Sequence, residues 1–297
     1  MSFAILATER LAPQVTRFRV SAPRVARSHR AGQFVIVRVE ANGERIPLTV
    51  SEADADAGWI ELIVQAVGHT TSVMAGLGAG DELPDVVGPL GRPTDVEAYG
   101  TVAVVGGGVG TAIAYPAAVA LAAEGNDVVA IIGARTKELV ILEDEMRQVA
   151  GQVIVTTDDG TRGRHGFVTD ALADLITERT IDRVIAVGPI PMMRGVAEAT
   201  RPHAIPTVVS LNPIMVDGTG MCGGCRVSVG GETRFACVDG PEFDAHQVDF
   251  AVLAQRNRAY RAFEKGEVDR SKAARPVLDD CRLATSTMEE PVKEPTA

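Results

Sequence analysis

The feature that most constrains the fold is an alternation of strand-like and helix-like segments between Gly100 and Asn212. Five short aliphatic segments have the pattern of buried strands: TVAVVGGG, DVVAIIGA, QVIVTTDDG, DRVIAVGP and TVVSL. The helix-like segments between them are VGTAIAYPAAVALAAEG, ELVILEDEMRQVAG, VTDALADLI and PMMRGVAEAT. Because parallel strands need long crossover connections, usually helices, residues 99–212 are predicted to form an α/β doubly wound parallel sheet.

The first 98 residues have a different pattern, in which short β-branched segments are separated by Pro and Gly. The clearest of these segments are VTRFRVSA, FVIVRV and IELIVQAV. One short helix is expected near His69–Leu77. Short strands at close intervals, with turn residues between them, predict that residues 1–98 form an antiparallel β-barrel domain.

Two further regions follow the predicted sheet. Residues 213–264 combine a loop rich in Gly and Cys with an exposed segment of helical pattern that starts at Phe243. Residues 265–297 are polar and lack a repeating apolar face, so they are predicted to be a disordered tail, which contains Cys281. The expected organisation is therefore two domains, a small C-terminal module and a tail.

Composition restricts the classes of function. Asp and Glu number 39 against 29 Lys and Arg, and the resulting net charge of −10 disfavours nucleic-acid binding. The segment AIAYPAAVALAA is too short to cross a bilayer and contains Pro116, and the start of the chain lacks a signal-peptide pattern. Three of four cysteines lie in one loop, which is not the pattern of a disulfide framework. A reducing, cytoplasmic location without membrane insertion is expected.

The segment VVGGGVGTA, from Val104 to Ala112, lies where the first predicted strand of the sheet meets its helix. Glycines at such a turn let the backbone approach a pyrophosphate, which the N–H groups of the helix N-terminus can bind. The pattern departs from the standard dinucleotide fingerprint, since Thr111 replaces the next expected glycine and Arg135 follows the second strand in place of an acidic residue. A nucleotide site is favoured, and a tight strand–helix turn is the alternative.

Two polar segments of the predicted barrel are further candidates. ERIPLTVSE, from Glu44 to Glu52, places an Arg and two hydroxyl residues along one strand, where they can bind a phosphate and a flavin or ribitol group. The alternative is an ordinary edge strand. AVGHTTSVMAGL, from Ala66 to Leu77, opens a short helix with Gly, Thr and Ser, which form either a second pyrophosphate site or a plain helix cap.

The loop MVDGTGMCGGCRVSVGGETRFAC contains the three clustered cysteines. Its spacing is Asp217-x4-Cys222-x2-Cys225-x11-Cys237. This matches the plant-type [2Fe–2S] pattern C-x4-C-x2-C…C, with Asp in the place of the first Cys. The glycines let the loop wrap around a cluster, and a carboxylate, a harder iron ligand than thiolate, is expected to shift its potential. A zinc site with three Cys and one Asp is the alternative.

A barrel, a nucleotide domain and a [2Fe–2S] loop in this order resemble one branch of the ferredoxin reductase superfamily. That branch holds the electron-transfer subunit of dihydroorotate dehydrogenase and the small, α subunit of NADH-dependent reduced ferredoxin:NADP⁺ oxidoreductase, also named a sulfide dehydrogenase subunit. The resemblance covers about residues 1–262 and is carried by RIPLTVSE, GPLGRP, VVGGGVGTAIAYP, GARTKELVILEDEM, TTDDGTRGRHGFVTD, VGPIPMM and LNPIMVDGTGMCGGCRVSVGGETRFACVDGPEFDAHQVDF. The dihydroorotate subunit has four cysteines, whereas the ferredoxin:NADP⁺ α subunit has an Asp first, as Asp217 is here.

The resemblance implies cofactor contacts for four sets of residues. The set that would contact FAD on the barrel is Arg45, Pro47, Leu48, Thr49 and Ser51. The set that would hold the FAD pyrophosphate is Gly68, Thr70 and Thr71. The set that would line the NAD(H) or NADP(H) site is Gly106, Gly107, Gly108, Gly110, Arg135, Asp158, Gly160, Gly188 and Pro189. The cluster ligands would be Asp217, Cys222, Cys225 and Cys237.

The implied function is electron transfer from NAD(P)H through FAD and the [2Fe–2S] cluster to a partner. The cofactors carry this chemistry, so no catalytic side chain is assigned. The implied partner is a larger flavin and iron–sulfur subunit in a heterodimer, through which ferredoxin is reached indirectly, with electron bifurcation as an option. Two alternatives stay open: an electron-transfer subunit of dihydroorotate dehydrogenase, and a non-enzymatic, zinc-stapled nucleotide-binding redox module.

Overall fold

The computed structural model describes residues 2–259, which form two large sheets, one small hairpin and seven α-helices. The strands of the first sheet are β1 (Phe3–Ala12), β2 (Val15–Ser21), β3 (Phe34–Arg38), β4 (Arg45–Asp54), β5 (Trp59–Gln65), β6 (Glu82–Leu83) and β7 (Asp85–Leu90). Two short helices lie between them, α1 (Pro23–Ser28) and α2 (His69–Met74).

The first sheet is a nearly closed antiparallel barrel. Its strand order is β6-β1-β2-β5-β4-β3-β7, and every neighbouring pair is antiparallel. The two edge strands, β6 and β7, are separated along the chain by Pro84 alone, so the sheet curls until its edges come close. Apolar side chains such as Phe18, Val37, Ile60 and Leu62 fill the interior. The barrel predicted from the sequence is confirmed.

The second sheet has the order β11-β10-β9-β8-β12-β13-β16. Its strands are β8 (Thr101–Gly107), β9 (Asp127–Ala134), β10 (Gln152–Thr157), β11 (Arg164–His165), β12 (Arg183–Val187), β13 (Thr207–Ser210) and β16 (Glu242–Asp244), and the separate hairpin is β14 (Arg226–Val229) and β15 (Glu232–Phe235). The helices that follow α2 are α3 (Gly110–Ala123), α4 (Glu143–Val149), α5 (Val168–Glu178), α6 (Ile190–Thr200) and α7 (Phe250–Arg258). Strands β8 to β13 run parallel, whereas β16 is antiparallel to β13.

The parallel sheet is covered by helices on both faces, as its sequence predicts. Successive residues of β8 point to opposite faces, so Ala103 and Val105 pack with α5 and α6, whereas Val102 and Val104 pack with α3 and α4. Burial on both faces explains why these strands read as continuous aliphatic segments and not as alternating ones. The doubly wound architecture is confirmed.

The segment ELVILEDEMRQVAG is not one continuous helix. A 3₁₀ turn covers Lys137–Leu139, and α4 starts only at Glu143. Leu142 has a left-handed backbone (φ 56°), which ends helical geometry between the two pieces. Ile141 and Leu142 are buried against Ala12 and other residues of the barrel. Packing between the domains therefore overrides the helical periodicity of this segment.

The chain after Asn212 returns to the second sheet. The prediction of an exposed helix from Phe243 onward is wrong at its start, because Glu242–Asp244 forms the edge strand β16. The helix α7 begins at Phe250, and Phe250 and Leu253 are buried in the same core as the sheet. The C-terminal module is thus packed onto the second domain.

The predicted disordered tail and Cys281 lie outside the residues that the structure describes. None of the helices formed by residues 2–259 is long and apolar enough to cross a membrane.

Candidate functional site

A cavity of about 990 Å³ lies where the barrel, the second sheet and the C-terminal module meet. Phe34, Pro47 and Thr49 form its barrel side, and the turns after β8 and β12 form another part of the wall. The rest of the wall comes from residues after Ser210. Ligand pockets span about 300–1,000 Å³, so this cavity is at the upper end of the range. Groups bound by each of the three parts can meet here.

Strand β4 places its predicted residues on different faces. Ile46 and Leu48 pack against the barrel core, whereas Pro47 and Thr49 line the cavity. Arg45, exposed at the start of the strand, lies outside the cavity wall. A bulge after Val50 changes the alternation, and the Ser51 hydroxyl is buried and donates to Glu61, with the Glu61 carboxylate oxygen 3.1 Å away. Any flavin contact of Leu48 or Ser51 would therefore come from the backbone.

The predicted pyrophosphate residues lie at the start of α2. The Thr71 hydroxyl oxygen accepts hydrogen bonds from the backbone N–H groups of Val67 (3.1 Å) and Gly68 (3.0 Å). Thr71 therefore caps this short helix. The Thr70 hydroxyl is 3.4 Å from a carboxylate oxygen of Glu44, the residue before Arg45, so the helix start and the start of β4 are neighbours.

The predicted pyridine-nucleotide residues all lie at the carboxyl ends of neighbouring strands. Strand β8 has β9 on one side and β12 on the other, so the order of the sheet reverses there. In open α/β sheets ligands bind outside the carboxyl ends of the strands at such a reversal. Of the predicted set, those that line the cavity are Gly107, Gly110, Gly188 and Pro189. Those at the same edge but outside the cavity wall are Gly106, Gly108, Arg135, Asp158 and Gly160.

Close packing explains several glycines of the turn after β8. A Cβ on Gly106 would lie 2.7 Å from the Cα of Thr111, and one on Gly110 would collide with the carbonyl oxygen of Val187. Gly108 instead has a left-handed backbone (φ 58°) with open space around it. Thr111 is fully buried, and its hydroxyl has no hydrogen-bond partner among the described residues. An unsatisfied hydroxyl in the first turn of α3 fits a turn that binds a polar group.

The cysteine loop is shaped by glycines and rests on the barrel. Gly218, Gly220 and Gly223 all have left-handed backbones, with φ between 66° and 86°. A Cβ on Gly218 would lie 2.6 Å from Leu90 and 2.9 Å from Ile36, so the loop backbone packs directly on barrel side chains. Glycine is therefore required at Gly218 by both conformation and space.

The four predicted metal ligands form two pairs. The sulfur atoms of Cys225 and Cys237 are 3.2 Å apart and buried. Cys222 is exposed, and its backbone N–H donates to Asp217 Oδ2 at 2.9 Å. Within residues 2–259, no three His, Cys, Asp or Glu side chains converge in a way that could hold a metal ion. The sulfur atoms of Cys225 and Cys237 are thus in contact, whereas Asp217 is bonded to the backbone of Cys222.

The electrostatics of the two pairs differ. Burial, together with the hydrogen bond to Cys225, raises the pKa of the Cys237 thiol to about 12, so it is not a nucleophilic thiolate. The backbone N–H groups of Thr219 and Cys222 hold the pKa of Asp217 below its ordinary value. Each Asp217 oxygen accepts one of these bonds and keeps a further lone pair for a metal. A positive metal centre would supply the charge that the buried thiols need for ionisation.

Several cavity residues carry no local signal in the sequence. They include Phe34, Arg194, Asn212, Gln255 and Arg258. Phe34 begins an aliphatic strand and reads as core, and the others lie in segments that resemble surface helices or loops. Only the return of the chain after Asn212 to the second sheet brings them to one cavity.

Comparison with known proteins places this site in a family. A sequence profile described as "Iron-sulfur cluster binding domain of dihydroorotate dehydrogenase B" matches residues 212–249, which include all four predicted ligands. The chain is 47% identical over 261 residues to the "Dihydroorotate dehydrogenase B (NAD(+)), electron transfer subunit homolog" of Thermotoga maritima, covering 88% of this chain and 92% of that protein. The chain belongs to the family of dihydroorotate dehydrogenase B electron transfer subunits and their homologues. The branch expected from the sequence motifs is confirmed.

Solved structures agree with this family. A structure described as giving insights into flavin-based electron bifurcation via NADH-dependent reduced ferredoxin-NADP oxidoreductase is 45% identical, with a TM-score of 0.86, and covers 91% of this chain and 97% of that chain. The ferredoxin reductase in carbazole 1,9a-dioxygenase is 18% identical with a TM-score of 0.59, over 69% of this chain and 65% of that chain. At that identity the likeness concerns the fold alone, which the family shares with ferredoxin reductases.

Proposed function

We propose that the chain is a flavin and iron–sulfur electron-transfer subunit that carries electrons between NAD(P)H, FAD and a [2Fe–2S] cluster to a partner subunit. The observation that carries the proposal is the match of residues 212–249 to an iron–sulfur binding domain, with Asp217, Cys222, Cys225 and Cys237 at the plant-type [2Fe–2S] spacing. A structural zinc ion with the same four ligands is the alternative. The profile and the spacing favour the cluster over zinc.

The cluster loop and the cavity are close along the chain. Met215 lines the cavity and precedes Asp217 by two residues, so their Cα atoms are at most about 7.6 Å apart. Phe34 of the cavity wall also belongs to the same continuous apolar core as Cys225 and Cys237. These contacts support direct electron exchange between a ligand in the cavity and the cluster, with no separate carrier between them.

Two sets of residues fit the nucleotides. We propose that FAD lies along β4, with Arg45 and the start of α2 at its phosphates and with Pro47 and Thr49 at its ring. The pyridine nucleotide would lie along the carboxyl edge of the second sheet, from Arg135 and Asp158 to Gly188 and Pro189. The cavity between these sets is where the two reactive rings would meet, since both sets contribute to its wall.

The residues of the chain bind, orient and exclude water. When bound, the cofactors supply hydride transfer between nicotinamide and flavin and single-electron transfer through the cluster. Apolar side chains such as Phe34, Ile113 and Met215 line the cavity and keep it poor in water. Glycines at 107, 110 and 188 line the cavity, and a Cβ on each of them would collide with neighbouring protein atoms. No side chain is required as a catalytic acid or base.

We further propose that the partner is a larger flavin and iron–sulfur subunit, as in reduced ferredoxin–NADP oxidoreductase. Asp217 at the first ligand position and the 45% identity to that structure support this choice. Ferredoxin would be reached only through the partner, and any bifurcation would require the assembled complex. An electron transfer subunit of dihydroorotate dehydrogenase B is the second candidate, because the profile and the Thermotoga protein both carry that name.

The two candidates are separated by reconstitution. The anaerobic protein, loaded with FAD, iron and sulfide, is mixed with a purified partner of each class. Orotate reduction by NADH with a dihydroorotate-oxidising partner would support the second candidate. NADH-linked, NADP⁺-dependent ferredoxin turnover with a large flavin and iron–sulfur partner supports the first. Orotate reduction alone would overturn the proposal for the partner.

A further inference from the structure

Helix α7 is attached to the cysteine loop and to the segment between β13 and that loop. The Arg256 guanidinium donates to the carbonyl oxygen of Gly224 at 3.1 Å, directly before Cys225. The Asn257 amide donates to the carbonyl oxygen of Asn212 at 3.1 Å. Phe250 and Leu253, on the buried side of the helix, belong to the same apolar core as Cys225 and Cys237. The helix therefore has a fixed position against the loop.

The same helix also forms part of the cavity wall. Residues Ala251, Ala254, Gln255 and Arg258 of α7 line the cavity together with the glycines of the second sheet. Among the described residues that line it, the charged side chains are Arg194 and Arg258, and both are cations. Arg194 pairs with Glu198 at 3.5 Å, so the guanidinium of Arg258 is the cation of this wall that an anionic ligand would meet.

We propose that α7 is a shared wall between the two sites: Arg258, with Gln255, binds the nicotinamide-side phosphate of the pyridine nucleotide, and Arg256 links nucleotide binding to the cluster loop. This rests on the proposed function, because the ligand is the pyridine nucleotide of that same cavity. A guanidinium presents a planar fork of donors that fits a phosphate, and the amide of Gln255 adds a donor on the same side of the helix. The nicotinamide-side phosphate is the one in reach because this cavity also includes Pro47 and Thr49, where the flavin ring is proposed to lie.

Coupling follows from the geometry of the helix. A ligand that contacts Arg258 restrains α7, and α7 restrains the carbonyl of Gly224 through Arg256 two residues earlier. Coupling between two sites is reciprocal. A nucleotide that restrains the loop therefore slows the loss of the cluster, and an intact cluster strengthens nucleotide binding.

The binding role is tested on the purified, cofactor-loaded protein by titration with NAD⁺ and with AMP. Arg258→Gln is expected to raise the Kd for NAD⁺ about tenfold, the effect of losing one charge-assisted hydrogen bond, and to leave the Kd for AMP unchanged. The matched control is Arg24→Gln in α1, an exposed arginine that does not line the cavity, which should leave both constants unchanged. FAD content and circular dichroism verify that each variant is folded.

The coupling is tested by the rate at which a chelator removes iron, with and without saturating NAD⁺. The wild-type rate is expected to fall several-fold with NAD⁺, and this protection should vanish in Arg256→Gln and return in part in Arg256→Lys. An unchanged Kd for NAD⁺ in Arg258→Gln, an equal loss of AMP affinity, or full protection in Arg256→Gln would overturn the inference. Failure of the wild-type protein to bind either NAD⁺ or NADP⁺ would instead overturn the proposed function.

Discussion

The sulfur atoms of Cys225 and Cys237 lie 3.2 Å apart inside the core, twelve residues apart in sequence and on either side of the hairpin β14–β15. That hairpin brings Cys237, the last cysteine of the motif, back to the glycine loop. Asp217, which is half-buried, and Cys222, which is exposed, form the other pair. The difference in burial between the two pairs implies that the two irons of a bound cluster would differ in solvent exposure.

Cys225→Ser is predicted to abolish the cluster or to make it too unstable to purify. Serine is a poor replacement for thiolate at iron, and the buried position leaves no space for another ligand. Iron and labile sulfide per chain, with the visible spectrum, measure the effect. Cys281→Ser, outside the ligand motif, is the matched control and should keep full iron content. A Cys225→Ser protein with an unchanged spectrum would remove this residue from the ligand set.

Asp217→Cys is predicted to keep a cluster and to shift its reduction potential, because thiolate replaces a harder oxygen ligand. Asp217→Asn separates ligation from loop folding. Its amide oxygen can still accept from Thr219 or Cys222, but it lacks the charge of a good iron ligand. Potentials are measured by a redox titration followed by electron paramagnetic resonance. If Asp217→Asn retained the wild-type potential and iron content, Asp217 would stabilise the loop conformation without being an iron ligand.

Arg45→Ala is predicted to weaken FAD binding about tenfold or more, since a guanidinium–phosphate contact is a strong, charge-assisted interaction. Arg45 is exposed at the start of β4, beside the N-terminus of α2, so its removal should not disturb the barrel core. FAD retained after gel filtration, and the Kd of the apoprotein for FAD, measure the change. Arg10→Ala on β1 is an exposed control. Equal flavin occupancy in the two variants would contradict the proposed role.

Arg17→Ala is predicted to destabilise the fold by about 3 kcal/mol at neutral pH. Arg17 pairs with Glu145 of α4 at 2.6 Å, with the buried Glu61 at 3.3 Å and with the exposed Glu9 at 2.7 Å. Its loss removes an ion pair between the domains and leaves the Arg19 guanidinium, 3.9 Å away, as the remaining ion-pair partner of Glu61. Chemical denaturation measures the free energy of unfolding. Glu9→Gln, which removes only the exposed partner, should cost less than about 1 kcal/mol.

The penalty of Arg17→Ala should also depend on pH. Burial raises the pKa of Glu61, and Arg17 opposes that rise, so the variant raises the pKa further. An acid with a raised folded pKa holds its proton more tightly in the folded state, so stability falls as pH rises through the folded value. The destabilisation should therefore be smaller near the ordinary glutamate pKa of about 4.3 than at pH 7. Adding Glu61→Gln should remove this dependence. If Arg17→Ala alone has the same penalty at both pH values, the account is contradicted.

Much of the architecture follows from local pattern. The buried strands β8, β9 and β12 are continuous aliphatic segments, and α5 has its buried residues at helical spacing (Val168, Ala171, Leu172 and Leu175), so the doubly wound sheet is predictable from sequence. The spacing of Asp217 and the three cysteines likewise places all four candidate ligands in one loop. These features depend on neighbours in sequence.

The features that sequence does not predict depend on distant partners. Glu242–Asp244 becomes a strand because β13 offers an open edge, and nothing within the segment specifies that pairing. Leu142 interrupts the helical pattern because it is buried against residues of the barrel. The β-bulge after Val50 turns Ser51 toward Glu61 and away from the cavity, which simple alternation does not anticipate. The part of the cavity wall formed by α7 also depends on a distant partner, because this helix packs against the core of the second sheet.

The most direct measurement of the central claim is made on anaerobically purified protein: iron, zinc and labile sulfide per chain, with the visible spectrum before and after addition of NADH. The account predicts two irons and two sulfides per chain, with bleaching of the flavin band by NADH. One zinc per chain without sulfide would contradict the cluster, and with it the electron-transfer function.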